Sequence, residues 1–341
     1  MKDQQRFSPR RRTLAAALLG VSLLGITACG GDSDASGAEG GDGLTPLKIS
    51  VAPIQFETAH LAKEKGYFEE AGLDVTITMG ADPAAMIAMA VSGEQDIVIG
   101  SWINMATSVT QGVPISVLGG NGIVDPDVSN SGVMVREDSG ITSVADLKGK
   151  IIGVQGVKSG GDIPVLQALD AAGVSITDVT EVAIPYSGME AALEQKTVDA
   201  VVPADSFYHQ MLKAGYPVIS NPVLEYQASM PVTVWSATNQ WLEANGETAE
   251  KFLAAMEKSV EFYSDEANLD EIRAITAAVN KRDISEVGTN YVPASVTINM
   301  AEAQAGIDAI ERFELVADPP PAEEILWDKA PRRDSAAAAS K

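Results

Sequence analysis

The most reactive residue type in this chain occurs once, as Cys29, and a cysteine thiol can carry a lipid. A basic stretch ending in Arg10 to Arg12 precedes an apolar run from Leu14 to Ile26, which is shorter than the ~20 residues that a membrane-spanning helix needs. The run ends in Ile-Thr-Ala-Cys, a pattern typical of a bacterial lipobox. We therefore expect residues 1–28 to be a lipoprotein signal peptide and Cys29 to become the lipidated first residue.

The same segment leaves two alternatives open. It could remain as an uncleaved apolar anchor with an incidental cysteine, and the three arginines before Thr13 and Leu14 also resemble a twin-arginine export signal. Residues 30–43 contain no aliphatic side chain larger than alanine, so they cannot bury enough surface to fold. We expect residues 29–45 to be a flexible linker that tethers an exported body to the outer face of the bacterial cell membrane.

Composition limits the chemistry of the rest of the chain. Its formal net charge of −23 disfavours binding to nucleic acid or to anionic lipid headgroups. One cysteine and two histidines leave no disulfide framework and no Cys/His zinc cluster, and the sequence has no Asp-x-Asp-x-Asp-Gly calcium loop. No nucleophile is paired with a base at a recognisable spacing. We therefore expect no catalytic residue, no metal and no cofactor.

The elements that follow residue 45 alternate between short β-branched runs and amphipathic stretches. Such alternation predicts parallel sheets built from right-handed crossovers, with one sheet in each half. The predicted strands and helices are Leu47–Val51, Thr58–Glu69, Asp74–Thr78, Lys150–Val154, Ile163–Ala172 and Thr180–Ile184. Three further helices are predicted at Ala249–Tyr263, Leu269–Val279 and Ile298–Phe313, and residues 329–341 are expected to be a disordered tail.

The two halves also contain an internal echo. Three residue pairs are each separated by 103 residues: Asp96 and Asp199, Gly112 and Gly215, and Pro114 and Pro217. Each copy contains a polar turn, a short strand, a loop, an amphipathic stretch and a Gly-x-Pro turn into another strand. This pattern predicts that both halves use one β-loop-α-β unit, with the general likeness of all such units as the alternative.

Four runs carry a resemblance to a known family. They are HLAKEKGYFEEAGLDVTI from residue 60, SGEQDIVIGS from residue 92, DLKGKIIGV from residue 146 and VDAVV from residue 198. Together they resemble the solute-binding proteins of ABC importers, in the group that serves nitrate, alkanesulfonates, taurine and thiamine-precursor pyrimidines and includes NMT1/THI5-like proteins. The resemblance implies an α/β, two-lobed periplasmic-binding-protein type II fold, with two doubly wound sheets, two hinge crossings and extra C-terminal helices.

Carried onto this sequence, the resemblance also implies how the lobes divide the chain. Lobe one would comprise residues 46–125 plus 230–328, and lobe two would comprise residues 126–229. The crossings would fall near Asn121–Val133 and Asn221–Val232. The resemblance further implies a monomer that passes a small-molecule ligand to ABC permease and ATPase subunits.

The candidate binding residues follow from that implied architecture. In open sheets, ligands bind beyond the carboxyl ends of the strands, near helix N-termini. Four loops would then supply the ligand contacts, at Gln55, Phe56, Ser101, Trp102, Lys158, Ser159, Gly160 and Asp205. Helix capping is the alternative for Gln55, Ser101 and Ser159, and core packing is the alternative for the aromatic residues. Asp205 could bind an amine or a ring N–H group, or it could cap its own helix.

The charge of these loops bears on the ligand. Lys158 is their only cation, and it would favour an anion if it faced the cleft; a solvated surface lysine is the alternative. Arg136 could supply a second positive charge if the crossing turned it inward. We therefore expect a small organic anion of the sulfonate or carboxylate type, with a neutral pyrimidine-type heterocycle as the alternative.

An enzyme that makes a thiamine pyrimidine is a further alternative. The resemblance implies that such relatives depend on a cysteine-rich motif and on a histidine that works with iron. No cysteine follows Cys29 in this sequence. We therefore expect a binding protein that carries out no reaction.

Overall fold

The computed structural model describes residues 43–334 except residues 81, 126–127, 159–160 and 228–229. The expected signal peptide, Cys29 and most of the expected linker lie outside the described residues. Within the described ranges, no helix combines the length and the apolar character that crossing a membrane requires. The first strand already begins at Thr45, inside the segment expected to be linker.

The described residues form twelve strands and twelve α-helices. The strands are β1 (Thr45–Val51), β2 (Leu73–Met79), β3 (Ile97–Ser101), β4 (Ile115–Gly120), β5 (Val133–Val135), β6 (Ile151–Val154), β7 (Thr180–Ala183), β8 (Ala200–Val201), β9 (Val218–Ser220), β10 (Thr233–Thr238), β11 (Ile298–Asn299) and β12 (Arg332–Arg333). The helices are α1 (Glu57–Glu64), α2 (Tyr67–Glu70), α3 (Pro83–Val91), α4 (Trp102–Thr110), α5 (Ile163–Ala171), α6 (Tyr186–Glu194), α7 (Asp205–Lys213), α8 (Pro222–Tyr226), α9 (Asn239–Tyr263), α10 (Leu269–Asn280), α11 (Met300–Arg312) and α12 (Ala322–Ile325).

Two five-stranded sheets lie at the centres of two lobes. Sheet one has the order β2-β1-β3-β10-β4, and sheet two has the order β7-β6-β8-β5-β9. We call sheet one with α1 to α4 and α9 to α12 lobe one, and sheet two with α5 to α7 lobe two. Segments 121–132 and 221–232 connect them, and we call these the first and second crossings. This arrangement confirms the α/β fold that the resemblance implied.

Each sheet is mixed rather than parallel, which corrects the expectation from the sequence. In sheet one, β10 is antiparallel to β3 and β4, and in sheet two β5 is antiparallel to β8 and β9. The physical reason is the route of the chain. A strand that arrives from the other lobe starts at the edge where the neighbouring strands end, so it must run in the opposite direction.

The 103-residue echo reappears as equivalent contacts in the two lobes. The Asp96 carboxylate accepts a hydrogen bond from the backbone N–H of Lys48 at 2.8 Å, and Asp199 accepts one from Ile151 at 2.9 Å. Both members of the second pair lie 103 residues after those of the first. Helices α3 and α6, and helices α4 and α7, begin at the same offset. The two sheets are therefore copies of one arrangement of elements.

The core of lobe one is built around aromatic side chains. The ring of Trp235 on β10 meets Phe252 of α9 edge-on, with centroids 5.2 Å apart, and Phe252 stacks on Phe68 of α2 at 5.8 Å. Such pairs bury large areas and fix the packing geometry. They attach the long helix α9 to the outer face of sheet one.

Two boundaries differ from the sequence-based expectation for local reasons. The predicted helix Thr58–Glu69 is divided into α1 and α2 because Gly66 adopts a left-handed conformation, with φ of 74°. The tail expected to be disordered from residue 329 is instead ordered as far as residue 334. Arg332 and Arg333 form β12, which pairs with β11, and Ala330 is only 5% exposed because it packs into the core of lobe one.

Candidate functional site

The carboxyl ends of the strands in both sheets face a cavity of about 140 Å³, which we call the inner cavity. Its wall comes from the turns after β1, β3, β6 and β8 and from both crossings. Side chains of the crossings and the nearby strands make much of this wall apolar. The apolar members include Ile123, Val124, Val128, Val223, Leu224 and Met230.

Gln55 lies in the turn between β1 and α1 and borders the inner cavity. Its side-chain Oε1 accepts a hydrogen bond from Thr233 Oγ1 at 2.5 Å, and its backbone carbonyl accepts one from Asn121 Nδ2 at 2.9 Å. A Cβ placed on Gly122 would lie 1.9 Å from the same Oε1 atom, so this packing requires glycine. The structure therefore fixes Gln55 against the two crossings, and its ligand contact stays a prediction.

Ser101 ends β3 and also borders the inner cavity. Its hydroxyl accepts a hydrogen bond from the backbone N–H of Asn104 at 3.0 Å and thereby caps α4. A hydroxyl that accepts one bond still has a hydrogen to donate. Capping and ligand contact are therefore compatible at this residue.

Asp205 is the first residue of α7 and faces the space between the lobes. Its φ of 52° places it in the left-handed region, which is strained for a residue with a side chain. Burial raises the pKa of its carboxyl, and the backbone N–H groups of Gln55 and Ser206 partly offset that rise. Because Gln55 belongs to lobe one, Asp205 interacts electrostatically across the cleft.

Glu57, the first residue of α1, is a second buried acid near Asp205. Sequence reasoning missed it. Its Oε1 accepts a hydrogen bond from Thr276 Oγ1 at 3.1 Å, and the side chain is buried. Burial, and then the negative charge of Asp205, raise its pKa to about 8. In the sequence Glu57 looks like an ordinary acidic residue in the first turn of a helix, which favours the helix dipole and gives no sign of burial.

A second cavity of about 620 Å³ lies on the other side of Asp205, between α7, α10 and the turn before β11. Pro53 and Asp205 border both cavities. Arg282, at the end of α10, lies over the ring of Phe207 on α7 at 5.9 Å from its centroid. We call this second cavity the outer cavity.

Two aromatic residues expected at the cleft are buried instead. Trp102 is 0% exposed, and its indole N–H donates to the carbonyl oxygen of Ala303 on α11 at 2.9 Å. Phe56 is 2% exposed, and its ring meets His60 edge-on at 5.8 Å. Neither borders the inner cavity, because both side chains pack within lobe one. Phe56 does border the outer cavity.

The loop after β6 does not supply the expected positive charge. Lys158 is exposed, does not border the inner cavity, and uses its backbone N–H to donate to the Asp162 carboxylate. The guanidinium of Arg136 is also occupied elsewhere, since it donates to the carbonyls of Leu193 and Val198. The candidates Ser159 and Gly160 lie outside the described residues.

Two further residues of the inner cavity were absent from the main sequence-based set. Tyr186, at the start of α6, borders the cavity and stacks on Phe207 at 5.8 Å. Burial raises the pKa of its hydroxyl, so that group stays protonated and can donate. Gln227 lies in the second crossing, where irregular backbone gives no periodic pattern that could have identified it.

The family model for NMT1/THI5-like proteins matches residues 54–267, which is well over half of the chain. The chain belongs to the NMT1/THI5-like family. It is 34% identical over 146 residues to a putative thiamine biosynthesis protein of Haemophilus influenzae, covering 42% of this chain and 44% of that protein. It is 26% identical over 215 residues to a 4-amino-5-hydroxymethyl-2-methylpyrimidine phosphate synthase of Saccharomyces cerevisiae, covering 59% and 61%. The chain thus spans less than two thirds of the length of either protein.

Among solved structures, the fold is similar to that of the alkanesulfonate-binding protein SsuA from Xanthomonas axonopodis pv. citri bound to MOPS. The TM-score is 0.71 at 18% identity, with 84% of this chain and 98% of that chain covered. At this level of identity the likeness shows the fold. It confirms the two-lobed periplasmic-binding-protein architecture that the sequence resemblance implied.

Proposed function

We propose that this chain is the solute-binding component of an ABC importer, and that its cleft takes a small, uncharged nitrogen heterocycle of the pyrimidine type. The charge of the inner cavity carries the choice of ligand class. Its described wall includes Asp82 and Asp205, and no lysine or arginine is among the described lining residues. An organic anion would be repelled by these carboxylates, whereas a ring with N–H groups can donate to Asp205.

The family supports the same ligand class. The curated relatives reported above are named for thiamine biosynthesis and for synthesis of a pyrimidine phosphate. A flat ring also suits an apolar cavity with a few polar groups, which is the usual form of a small-molecule site. The organic anion expected from the sequence depended on Lys158, which does not border the inner cavity.

Transport without chemical turnover is part of this proposal. The sequence lacks any cysteine after Cys29, whereas the resemblance implies a cysteine-rich motif in the synthases. A ligand that contacts both lobes stabilises their closed arrangement, and a permease can distinguish closed from open. The binding of permease and ATPase subunits is inferred from the family resemblance.

Attachment to the membrane is the remaining part of the proposal, and Cys29 is the residue that tests it. Cys29→Ser should abolish incorporation of labelled fatty acid and release the protein from the membrane fraction. Retention of the label by the variant would overturn the lipoprotein proposal. Retention in the membrane without label would support the uncleaved anchor instead.

A thermal-shift titration of the purified protein tests the ligand class. The probes are 4-amino-5-hydroxymethyl-2-methylpyrimidine, ethanesulfonate and nitrate. Ligand that binds only the folded state raises the melting temperature by mass action. We expect a saturable rise with the pyrimidine and none with the two anion-bearing probes. A rise with ethanesulfonate or nitrate alone would overturn the proposed ligand class and support the anion.

A further inference from the structure

Gln227 is a buried amide at the wall of the inner cavity, and its side-chain donor atom Nε2 is unpaired among the described residues. Its backbone is fully engaged, since its N–H donates to Val223 at 2.9 Å and its carbonyl accepts from Met230 at 3.0 Å. The side chain is 6% exposed and borders the cavity. Its Nε2 atom has no hydrogen-bond partner among the described residues.

A buried amide without a partner is unfavourable, so folded proteins rarely keep one. The inner cavity is lined mostly by apolar groups near this residue, including Val223, Leu224 and Met230. A ligand that occupies the inner cavity is a source of the acceptor atom that Nε2 lacks among the described residues. A side chain in this state is typical of a site that is completed by its ligand.

We infer that Gln227 donates a hydrogen bond to an acceptor atom of the ligand and that Asp205 accepts one from an N–H group of the same ligand. This inference rests on the proposed function and narrows it. The ligand must present both an acceptor and a donor, as an aminopyrimidine does through its ring nitrogens and its amino group. A sulfonate or nitrate ion presents acceptors only and leaves Asp205 facing like charge.

The position of Gln227 adds a mechanical consequence. It lies in the second crossing, whereas Ser101 belongs to lobe one and Asp205 to lobe two. A ligand bound to all three would contact both lobes and one of the segments that join them. The affinity for the ligand would then depend directly on the conformation of the crossing.

Isothermal titration of the purified protein with 4-amino-5-hydroxymethyl-2-methylpyrimidine tests the inference through two variants. Gln227→Met keeps the length of the side chain and removes the donor and the acceptor, and Gln227→Glu keeps an acceptor and removes the donor. We expect both variants to raise Kd about tenfold, which is typical of losing one hydrogen bond to a buried partner. The melting temperature of unliganded Gln227→Met should stay the same or rise, because a buried unpaired amide has been removed.

Gln95→Met is the matched control. Gln95 is also 6% exposed and carries a buried Oε1 without a partner among the described residues, but it lies between β2 and β3, away from the cavity. This control should leave Kd unchanged. A wild-type affinity in Gln227→Met would overturn the inference alone, as would full affinity in Gln227→Glu, which would mean that the amide accepts rather than donates.

The remaining outcomes are also decisive. A fall in the melting temperature of unliganded Gln227→Met that matches its loss of affinity would show a structural role and would overturn the inference. If the wild-type protein does not bind the pyrimidine at all, the proposed ligand class fails and this inference fails with it. Tight binding by the wild type with a tenfold loss in both variants supports both proposals.

Discussion

The two lobes are built from one arrangement of elements, yet they use equivalent positions differently. Trp102 and Asp205 both begin the helix that follows the third parallel strand, 103 residues apart. In lobe one that position carries a buried indole bonded to α11, and in lobe two it carries an acid that faces the cleft. The same turn therefore places a packed side chain in one copy and a cavity-lining acid in the other.

A second equivalent pair behaves alike in its backbone and differently in its side chain. Gln55 and Lys158 are also 103 residues apart, and both adopt left-handed φ values, 54° and 59°. Gln55 is buried against the crossings, whereas Lys158 is exposed. Both copies of the turn after the first strand of the unit thus keep a strained backbone, and one of them holds Gln55 beside the inner cavity.

The largest expected effect comes from the packing member of the first pair. Trp102→Ala removes a fully buried indole and its hydrogen bond to Ala303, so it should lower the free energy of unfolding by ~4 kcal/mol. Urea unfolding measures this loss. Asp205→Asn, at the equivalent position, should leave the stability at pH 7 unchanged or higher. Equal losses in the two variants would contradict the division between packing and binding.

Gly122→Ala tests how tightly the first crossing is packed on Gln55. The new Cβ would lie 1.9 Å from Gln55 Oε1, so the side chain must move and the free energy of unfolding should fall by ~2 kcal/mol. Gly288→Ala is the control, because nothing lies within 4 Å of its added Cβ. Equal melting temperatures for the two alanine variants would show that the first crossing accommodates the added methyl group without loss of stability.

Asp205→Asn should also change binding. It replaces a charged acceptor by an amide, so Kd for the pyrimidine probe should rise about tenfold, while repulsion of ethanesulfonate should weaken. Titration calorimetry measures both affinities. Asp308→Asn, on the exposed face of α11, is the control that keeps the same change of charge away from the cleft. An unchanged affinity for the pyrimidine in Asp205→Asn would remove Asp205 from the site.

The smallest effect is a pH dependence contributed by Glu57. Its carboxyl has a pKa of about 8 when folded and an ordinary value of 4.5 otherwise, so the folded state binds the proton more tightly. The stability that protonated Glu57 contributes is complete below pH 4.5 and is lost as the pH rises through 8. Glu57→Gln should therefore flatten the fall of the melting temperature between pH 5 and pH 8, which thermal unfolding at a series of pH values measures. A curve as steep as that of the wild type would contradict this account.

Much of the fold could be predicted because its signals are local. β-branched runs, the Gly-x-Pro turns and the 103-residue echo are all readable along the chain, and they match β3, β4, α4 and their copies in lobe two. The direction of β5 and β10 could not be predicted from such signals, because it depends on which edge of a sheet the chain enters. The division of the predicted helix Thr58–Glu69 at Gly66 is also a local effect. It depends on the positive φ of Gly66, which the structure shows and the sequence does not.

The candidate site was harder to predict for a physical reason. Residue type indicates which side chains can bind, but burial decides which of them face the cavity. Trp102 and Phe56 have suitable chemistry and pack inward, whereas Glu57 and Gln227 have ordinary sequence surroundings and become notable only through burial. The missing positive charge in the inner cavity depends on the direction in which Lys158 points, and spacing along the chain does not determine that direction.

The antiparallel strands also set the order in which the lobes can be completed as the chain is synthesised. In sheet two, β5 precedes every neighbour it will have, so all five strands are present once β9 has emerged. In sheet one, β10 lies between β3 and β4 but is made last, after the whole of lobe two. Sheet one therefore lacks its strand β10 during this time. Its apolar strands β3 and β4 stay incompletely paired until residue 238 has been synthesised.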